Sequence, residues 1–318
     1  MSEHFLTEIE IKEFKCFSNF KAEGFKRVNL IGGKNNVGKT AFMEACYVNV
    51  FSINIKSMIT SIVSIKGRRE KANLVYEEME YQSFLDFTKH YDVISNVKTQ
   101  NFSVLEGDGK KEYQFDIDGE FISLINAKEI NISMVQAGNV DFIDSFGWAD
   151  SRLIKVYQAI QKQDKESELN NFISEFDSSI EIFKVIDKPQ CKVNGEYRDI
   201  TEFGDGLKHY ISIICALYAC ENGYLFIDEI GNGIHYTQHD RLWELILTLS
   251  EKTNCQVFAI THSKEMLESF ARVAKKLDEQ DISCTTLVKN KQQEIKAITR
   301  DYEMLLDSIE QEREVRGW

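Results

Sequence analysis

Residues 33–40 could bind a phosphate group, because they read Gly-Lys-Asn-Asn-Val-Gly-Lys-Thr and match the pattern G-x-x-x-x-G-K-[ST] at every position. Glycines in such a loop allow positive φ and bring backbone N–H groups close to phosphate oxygens. We expect Lys39 to reach the β- and γ-phosphates of ATP, and the Thr40 hydroxyl to ligate Mg²⁺. A chance match in a glycine-containing loop is the alternative. The predicted nucleotide contacts are Gly33, Asn35, Asn36, Val37, Gly38, Lys39, Thr40 and Ala41.

Two adjacent acids, Asp228 and Glu229, directly follow the apolar run 224–227, which predicts a buried strand. Ligands of parallel α/β sheets bind at the C-terminal ends of the strands. We therefore expect Asp228 to hold Mg²⁺ through water and Glu229 to act as the general base that activates a water molecule. A strand that ends in a solvated acidic turn is the alternative interpretation.

Two further motifs could contact the γ-phosphate. His262 follows the next apolar run, 256–261, and a histidine there could touch this phosphate, although a simple polar cap is common at such a place. Gly204, Asp205 and Gly206 precede an apolar helix, which is typical of an anion-binding nest. Since the chain already has a phosphate loop, a second nest is explained if it clamps ATP held by another copy. A glycine turn without a ligand is the alternative.

The elements that must position these residues follow from hydrophobic periodicity and turn residues. Apolar strands alternate with helices in the last third of the chain, which indicates a parallel, largely buried sheet. The predicted strands are 5–12, 27–31, 97–106, 111–118, 128–135, 179–186, 190–199, 224–228, 256–261, 283–289 and 294–299. The predicted helices begin near 40, 69, 149, 165, 206, 237, 264 and 301, and the run 55–66 is also expected to be helical.

Composition indicates one continuous soluble fold. The 318 residues are 43% hydrophobic, contain one proline, Pro189, and include no Gly/Ser-rich linker. A net charge of −13 argues against non-specific coating of nucleic acid by the whole surface. The seven cysteines are odd in number and have no metal-like spacing, which is typical of reduced thiols. With no signal peptide and no apolar run near about 18 residues, we expect a cytoplasmic protein without a membrane partner.

In this order, the motifs resemble those of the ABC-type ATPases of the SMC, RecF and OLD-nuclease group, and especially short AAA-type ATPases allied to OLD proteins. The resemblance implies an α/β P-loop NTPase fold: an ABC-type ATPase head over residues 1–318, with a mainly parallel core sheet, an antiparallel β element and an inserted helical and β-hairpin lobe at about 52–200. The motifs that carry it are IEIKEFKCF (9–17), GKNNVGKT (33–40, Walker A), FGDGLKH (203–209, signature), LFIDEIGNGIHY (225–236, Walker B and D-loop) and FAITHSKEML (258–267, switch histidine).

The resemblance also implies a head-to-tail homodimer, or a higher oligomer, with two ATPs held between Walker A of one subunit and the signature motif of the other. Two positions depart from the group: Lys15 stands where arginine is usual, and Gly231 stands where an acid is expected. The residues assigned by resemblance are Lys15 on the nucleotide, Gly204, Asp205, Gly206 and Lys208 across the interface, Asn232 and Gly233 in the D-loop, and Gln136 on Mg²⁺.

Two features of this group are missing from the sequence. SMC-like members carry long heptad arms, and no sustained heptad pattern occurs here. OLD nucleases carry a C-terminal TOPRIM domain, whereas 18 residues follow Arg300. We therefore expect an ATP-hydrolysing switch that controls a separate protein effector, such as a nuclease or toxin, in bacterial anti-phage defence or genome maintenance.

Three other functions compete with this one. A DNA-binding repair ATPase of the RecF kind is favoured by the basic stretch 66–71 and by Lys110-Lys111, although a charge run is usually a solvated surface. A regulatory module that binds ATP and barely hydrolyses it is disfavoured by the intact Asp228-Glu229 pair. A transporter ATPase would need a membrane partner.

Overall fold

The computed structural model describes residues 4–51, 61, 64–65, 99–106, 109–118, 121–124, 139–145 and 147–311. Its centre is a six-stranded sheet in the order β14-β13-β3-β12-β11-β7. The strands are β3 (Val28–Gly33), β7 (Val140–Ile143), β11 (Tyr224–Ile227), β12 (Gln256–Ile260), β13 (Ile282–Lys289) and β14 (Ile295–Arg300). Only the β13–β14 pair is antiparallel, so the expected mainly parallel core sheet is confirmed.

Two antiparallel sheets flank the central one, as the expected antiparallel element requires. The first has the order β2-β1-β4-β5-β6, and the second has the order β10-β9-β8. Their strands are β1 (Glu8–Phe14), β2 (Phe17–Glu23), β4 (Thr99–Glu106), β5 (Gly109–Asp118), β6 (Phe121–Leu124), β8 (Ile182–Val185), β9 (Pro189–Val193) and β10 (Glu196–Asp199).

Seven helices longer than one turn lie in the described part of the chain. They are α1 (Lys39–Phe51), α2 (Asp150–Gln161), α3 (Glu166–Phe176), α4 (Asp205–Ala219), α5 (His239–Thr253), α6 (Lys264–Leu277) and α7 (Tyr302–Glu310). None of them is both long and apolar enough to cross a membrane.

The central sheet separates two hydrophobic cores, because successive side chains of a strand point to opposite faces. In β11, Leu225 and Ile227 join the core that contains α2 to α7, whereas Phe226 joins the core that contains α1, β1 and β2. Residues of β3 and β12 divide between the cores in the same way. As a result, α1 and α4 lie on opposite faces of the sheet.

A buried asparagine fixes the N-terminal end of β3. Asn29 is fully buried, and its amide donates to the carbonyls of Lys26 at 2.7 Å and Val257 at 3.1 Å. Its side-chain oxygen accepts from Ser283 Oγ at 2.8 Å. These bonds connect β3 to both neighbouring strands, β12 and β13.

The structure contains four features that the sequence did not predict. The strands β2, β6 and β7 were not foreseen. The predicted strand 190–199 is two strands, β9 and β10, joined by a turn at Asn194 (φ 51°) and Gly195 (φ 82°). Asn-Gly is a strong hairpin signal, so this turn could have been found. β7 belongs to the central sheet although it lies inside the range 52–200 assigned to the inserted lobe. The predicted strand 128–135 and the predicted helix at about 69–90 lie outside the described residues.

Candidate nucleotide site

The phosphate loop connects β3 to α1 and requires its glycines. Gly33 has φ 141°, and a Cβ there would lie 2.7 Å from the Leu287 carbonyl oxygen. Gly38 has φ 105°, and a Cβ there would lie 2.8 Å from Cys16 Sγ. No side chain fits at either position without a clash, so Gly33 packs closely against β13 and Gly38 packs closely against the β1–β2 turn. Asn35 and Asn36 form the exposed tip, and Val37 and Ala41 are buried.

Lys39 is the buried cation of this loop. Its side chain is enclosed, and its Nζ donates to the carbonyls of Gly33 at 2.9 Å and Lys34 at 3.0 Å. Burial lowers the pKa of Lys39, and the negative charges of Glu229 and Asp228 oppose that change. An ammonium held in this position lies where a cation can meet phosphate oxygens.

Thr40 and Asp228 meet at the first turn of α1. The alternation of β11 directs Asp228 to the same face as Phe226, which is the face covered by α1, and the Thr40 hydroxyl donates to Asp228 Oδ2 at 3.4 Å. Among the described residues, the buried Asp228 Oδ1 has no hydrogen-bond partner. Burial and the charge of Glu44 raise the pKa of Asp228. Hydroxyl and carboxylate oxygens are ligands that Mg²⁺ takes, so this pair fits the metal.

Glu229 is held in a strained and partly desolvated position. Its backbone lies in the left-handed region, with φ 50°, and its side chain is 29% exposed. Burial, followed by the charge of Asp228, raises the pKa of Glu229 to about 7. A carboxylate with this pKa can accept a proton from water near neutral pH, which is the property of a general base.

His262 lies beside Glu229, with Nε2 2.8 Å from Glu229 Oε2. Burial and the positive charge of Lys39 lower the pKa of His262. The imidazole is therefore neutral at pH 7, and its contact with Glu229 is a hydrogen bond rather than an ion pair. Glu229 follows β11 and His262 follows β12, which are neighbouring parallel strands. The segments after them stay close, since Ile230 N donates to the carbonyl of Ile260, the last residue of β12, at 2.9 Å.

Lys15 lies in the β1–β2 turn, next to the phosphate loop through Cys16. Its ammonium forms an ion pair with Glu44, which is buried. Glu44 was not anticipated, although its position could have been suspected, because it stands four residues after Thr40 on the same face of α1. The predicted contact of Lys15 with nucleotide stays a prediction.

The signature residues form the start of α4. Gly204 has φ 83° and connects a 3₁₀ turn, Ile200–Phe203, to the helix. A Cβ on Gly206 would lie 2.1 Å from the Gly233 carbonyl oxygen, so the helix start presses against the D-loop backbone. Since α4 and α1 lie on opposite faces of the sheet, the structure does not bring Gly204, Asp205 and Gly206 together with the phosphate loop in one site.

Two of the remaining predicted residues connect α4 and the D-loop to other parts of the chain. Lys208 Nζ pairs with Asp150 Oδ1 at 2.7 Å, and Asn232 Nδ2 donates to the Ser145 carbonyl at 2.6 Å. Gln136 lies outside the described residues. On its outer side β11 pairs with β7, and the residue that follows β7 is Asp144.

The comparisons with known proteins agree with this architecture. A family model described as "AAA ATPase domain" matches residues 143–267, from the end of β7 to α6. A Helicobacter pylori protein described as "ATP/GTP phosphatase" is 27% identical, over 86% of this chain and 89% of that protein.

Two solved structures share the fold. The Smc head bound to the C-winged helix domain of ScpA has a TM-score of 0.51 at 12% identity, covering 95% of this chain and 99% of that chain. The Smc head domain with an extended coiled coil, bound to the C-terminal domain of ScpA derived from Pyrococcus furiosus, has a TM-score of 0.53 at 11% identity, covering 98% and 100%. The expected α/β P-loop NTPase fold, similar to an SMC head, is thereby confirmed.

Proposed function

We propose that this chain, an ATPase with the fold of an SMC head, hydrolyses ATP at a site completed by a second copy and thereby controls a separate protein. The separation of α1 and α4 carries the proposal. Each chain offers a phosphate loop on one face of the sheet and a glycine nest on the other face. Two copies arranged head to tail would let each nest meet the nucleotide held by the other.

Within one half-site, each residue has a distinct task. The backbone N–H groups of residues 33–40 and the Lys39 ammonium bind the phosphates. Thr40 and Asp228 would hold Mg²⁺, which when bound neutralises charge on the β- and γ-phosphate oxygens.

The chemical step needs one proton acceptor. Glu229 takes a proton from a water molecule while the water oxygen bonds to the γ-phosphorus. The bond from that phosphorus to the bridging oxygen breaks, and ADP leaves with the electron pair. His262 donates its Nε2–H to Glu229, which holds the carboxylate in place and stabilises its ionised form.

The second copy would contribute electrostatic stabilisation. Backbone N–H groups at 204–206 and the positive end of α4 would face the γ-phosphate, and two of these three residues lack a side chain that could obstruct it. Charge stabilisation of this kind often supplies a large share of catalysis. The nest would thus make turnover depend on dimerisation.

Light scattering tests the dimer. A Glu229→Gln variant retains the ATP-binding groups but loses the base, so with ATP and Mg²⁺ its mass should rise from 36.8 kDa to twice that value. A Lys39→Ala variant, with its phosphate contact removed, is the matched control and should stay monomeric. A Glu229→Gln protein that binds ATP yet remains monomeric would eliminate the two-copy site.

We further propose a protein effector, in the setting of anti-phage defence or genome maintenance that the likeness to short OLD-allied ATPases suggests. The net charge of −13 favours protein over nucleic-acid partners, and the two solved Smc heads were each bound to a ScpA domain. The test is co-purification with the products of the neighbouring genes, with and without ATP. A nuclease or toxin that associates only in the ATP state would identify the effector; independence from ATP would contradict control by the nucleotide.

DNA binding is the second candidate, and its supporting residues are basic. The stretch 66–71 lies outside the described residues, whereas Lys110 and Lys111 belong to β5. Phosphate contacts would make duplex affinity fall steeply as salt rises. A filter-binding titration at low salt that detects no duplex, with and without ATP, would remove this candidate.

A further inference from the structure

We propose that Asp150 is a positioning residue for ATP bound by a second copy, and that it acts through Lys208. The inference rests on the two-copy site proposed above and deepens it. Asp150 lies in the first turn of α2, and its carboxylate accepts a hydrogen bond from Lys208 Nζ at 2.7 Å. The residues are 58 positions apart in the chain.

The contact with Asp150 matters because Lys208 lies near the glycine nest that is proposed to meet ATP. Lys208 lies in the first turn of α4, two residues after Gly206, which is the last residue of the glycine nest. Side chains on a helix lean toward its N-terminus, which is the end of α4 that carries the nest. An ammonium has three N–H donors, and the contact with Asp150 uses one of them. The others can meet phosphate oxygens that approach the nest, since the Lys208 side chain is 20% exposed.

The segment before α2 fixes the distance between the two residues. Trp148 N donates to Ser212 Oγ at 3.0 Å, and Ser212 Oγ donates to the Lys208 carbonyl at 2.7 Å. A Cβ on Gly147 would lie 3.2 Å from His209 Cα, so this segment runs directly against the backbone of α4. These contacts place Asp150 beside the first turn of α4.

A long, flexible lysine benefits from such an anchor. Without it, the four-carbon stem samples several rotamers, and each copy must order the side chain when ATP arrives. Asp150 orders it beforehand while leaving its charge available. The anchor therefore affects the ATP bound by the other copy and leaves the phosphate loop of its own chain unaffected.

The experiment measures ATP-driven dimerisation of full-length Glu229→Gln protein carrying further substitutions. Asp150→Asn should raise the ATP concentration for half-maximal dimerisation about fivefold, as expected for loss of one exposed charged contact. Lys208→Met should raise it about twentyfold, since a charge-assisted contact to phosphate is lost. The double variant should match Lys208→Met alone, because Asp150 acts only through Lys208.

The matched control is Glu168→Gln, which removes a similar surface pair between α3 and α5, with Lys252 Nζ 2.6 Å from Glu168 Oε1. It should leave dimerisation unchanged. ATP binding to the monomer and the melting temperature should be the same in Asp150→Asn and in this control.

Three results would overturn the inference: normal dimerisation of Asp150→Asn, additive effects in the double variant, or a melting temperature that falls together with dimerisation. Failure of the parent Glu229→Gln protein to dimerise would instead refute the two-copy site.

Discussion

Replacing Glu229 by glutamine should abolish turnover and, at alkaline pH, make the protein more stable. Burial and Asp228 raise the pKa of this carboxyl from 4.5 to about 7, so the fold disfavours its ionised form. The penalty is absent below about pH 4.5, where the carboxyl is protonated in both folded and unfolded chains. It grows between pH 4.5 and 7 and is complete above pH 7.

The size of this effect follows from the pKa. A rise from 4.5 to about 7, at about 1.4 kcal/mol for each pH unit, corresponds to about 3 kcal/mol. Since the side chain is 29% exposed, solvent screening reduces this to about 2 kcal/mol. Glutamine has the same shape and cannot ionise, so it avoids the penalty at every pH.

Urea unfolding measures the difference in the free energy of unfolding between the wild type and Glu229→Gln. The titrations are done between pH 5 and 8.5 without nucleotide. The variant should gain about 2 kcal/mol over the wild type between pH 5 and 8, while the exposed-site control Glu221→Gln gains nothing comparable. In steady-state assays, wild-type kcat/KM should rise with pH and reach half its maximum near pH 7, because this ratio reports the ionisation of the free enzyme. A pH-independent stability difference would show that Glu229 is not desolvated, and the assignment of its pKa would be wrong.

Further predictions concern three other positions. Gly206→Ala should destabilise the fold by about 2 kcal/mol or more, because its Cβ would lie 2.1 Å from the Gly233 carbonyl oxygen. The control Gly195→Ala, with positive φ but open space, should cost about 1 kcal/mol in the same thermal melts. Cys16 is the exposed thiol among the seven cysteines and lies against the phosphate loop. When ATP fills about nine-tenths of the sites, labelling of Cys16 by maleimide should therefore slow about tenfold. Labelling at an unchanged rate would place the nucleotide elsewhere. His262→Gln should lower kcat about tenfold with little change in KM, because the His262 ring contacts the base Glu229. An effect confined to KM would contradict that role.

The phosphate loop and the strand that precedes Asp228 were predictable because they depend on local sequence. Each is determined by residues only a few positions apart. The first is a glycine pattern before a helix, and the second is a run of four apolar residues before two acids. That Glu229 and His262 follow neighbouring strands was also predictable, since neighbouring parallel strands bring their C-terminal ends to one edge of the sheet. The fold class was predictable for the same reason. The contact between the Glu229 and His262 side chains was not predicted.

Other features depend on contacts between distant parts of the chain. β7 has four residues and includes the buried Asp141, which an ion pair with Arg152 compensates, so its pattern alone does not identify a core strand. β2 alternates imperfectly, because Phe17 and Phe20 are three positions apart. The Lys208–Asp150 pair joins residues whose proximity only the packing of α2 on α4 creates.

The buried Asn29 determines which parts of the molecule can shift when ATP binds. Its bonds join β3, β12 and β13, and these strands lead to the phosphate loop, to His262 and to the carbonyl behind Gly33. If one of these strands slid along its neighbour, the Asn29 side chain would stay buried but lose hydrogen-bond partners, which is costly in an apolar interior. We therefore expect these three strands to keep their positions when ATP binds. Nucleotide should instead change amide exchange at the outer edge of the sheet, where β7 leads into the segment that contacts α4 and the D-loop, rather than at Asn29.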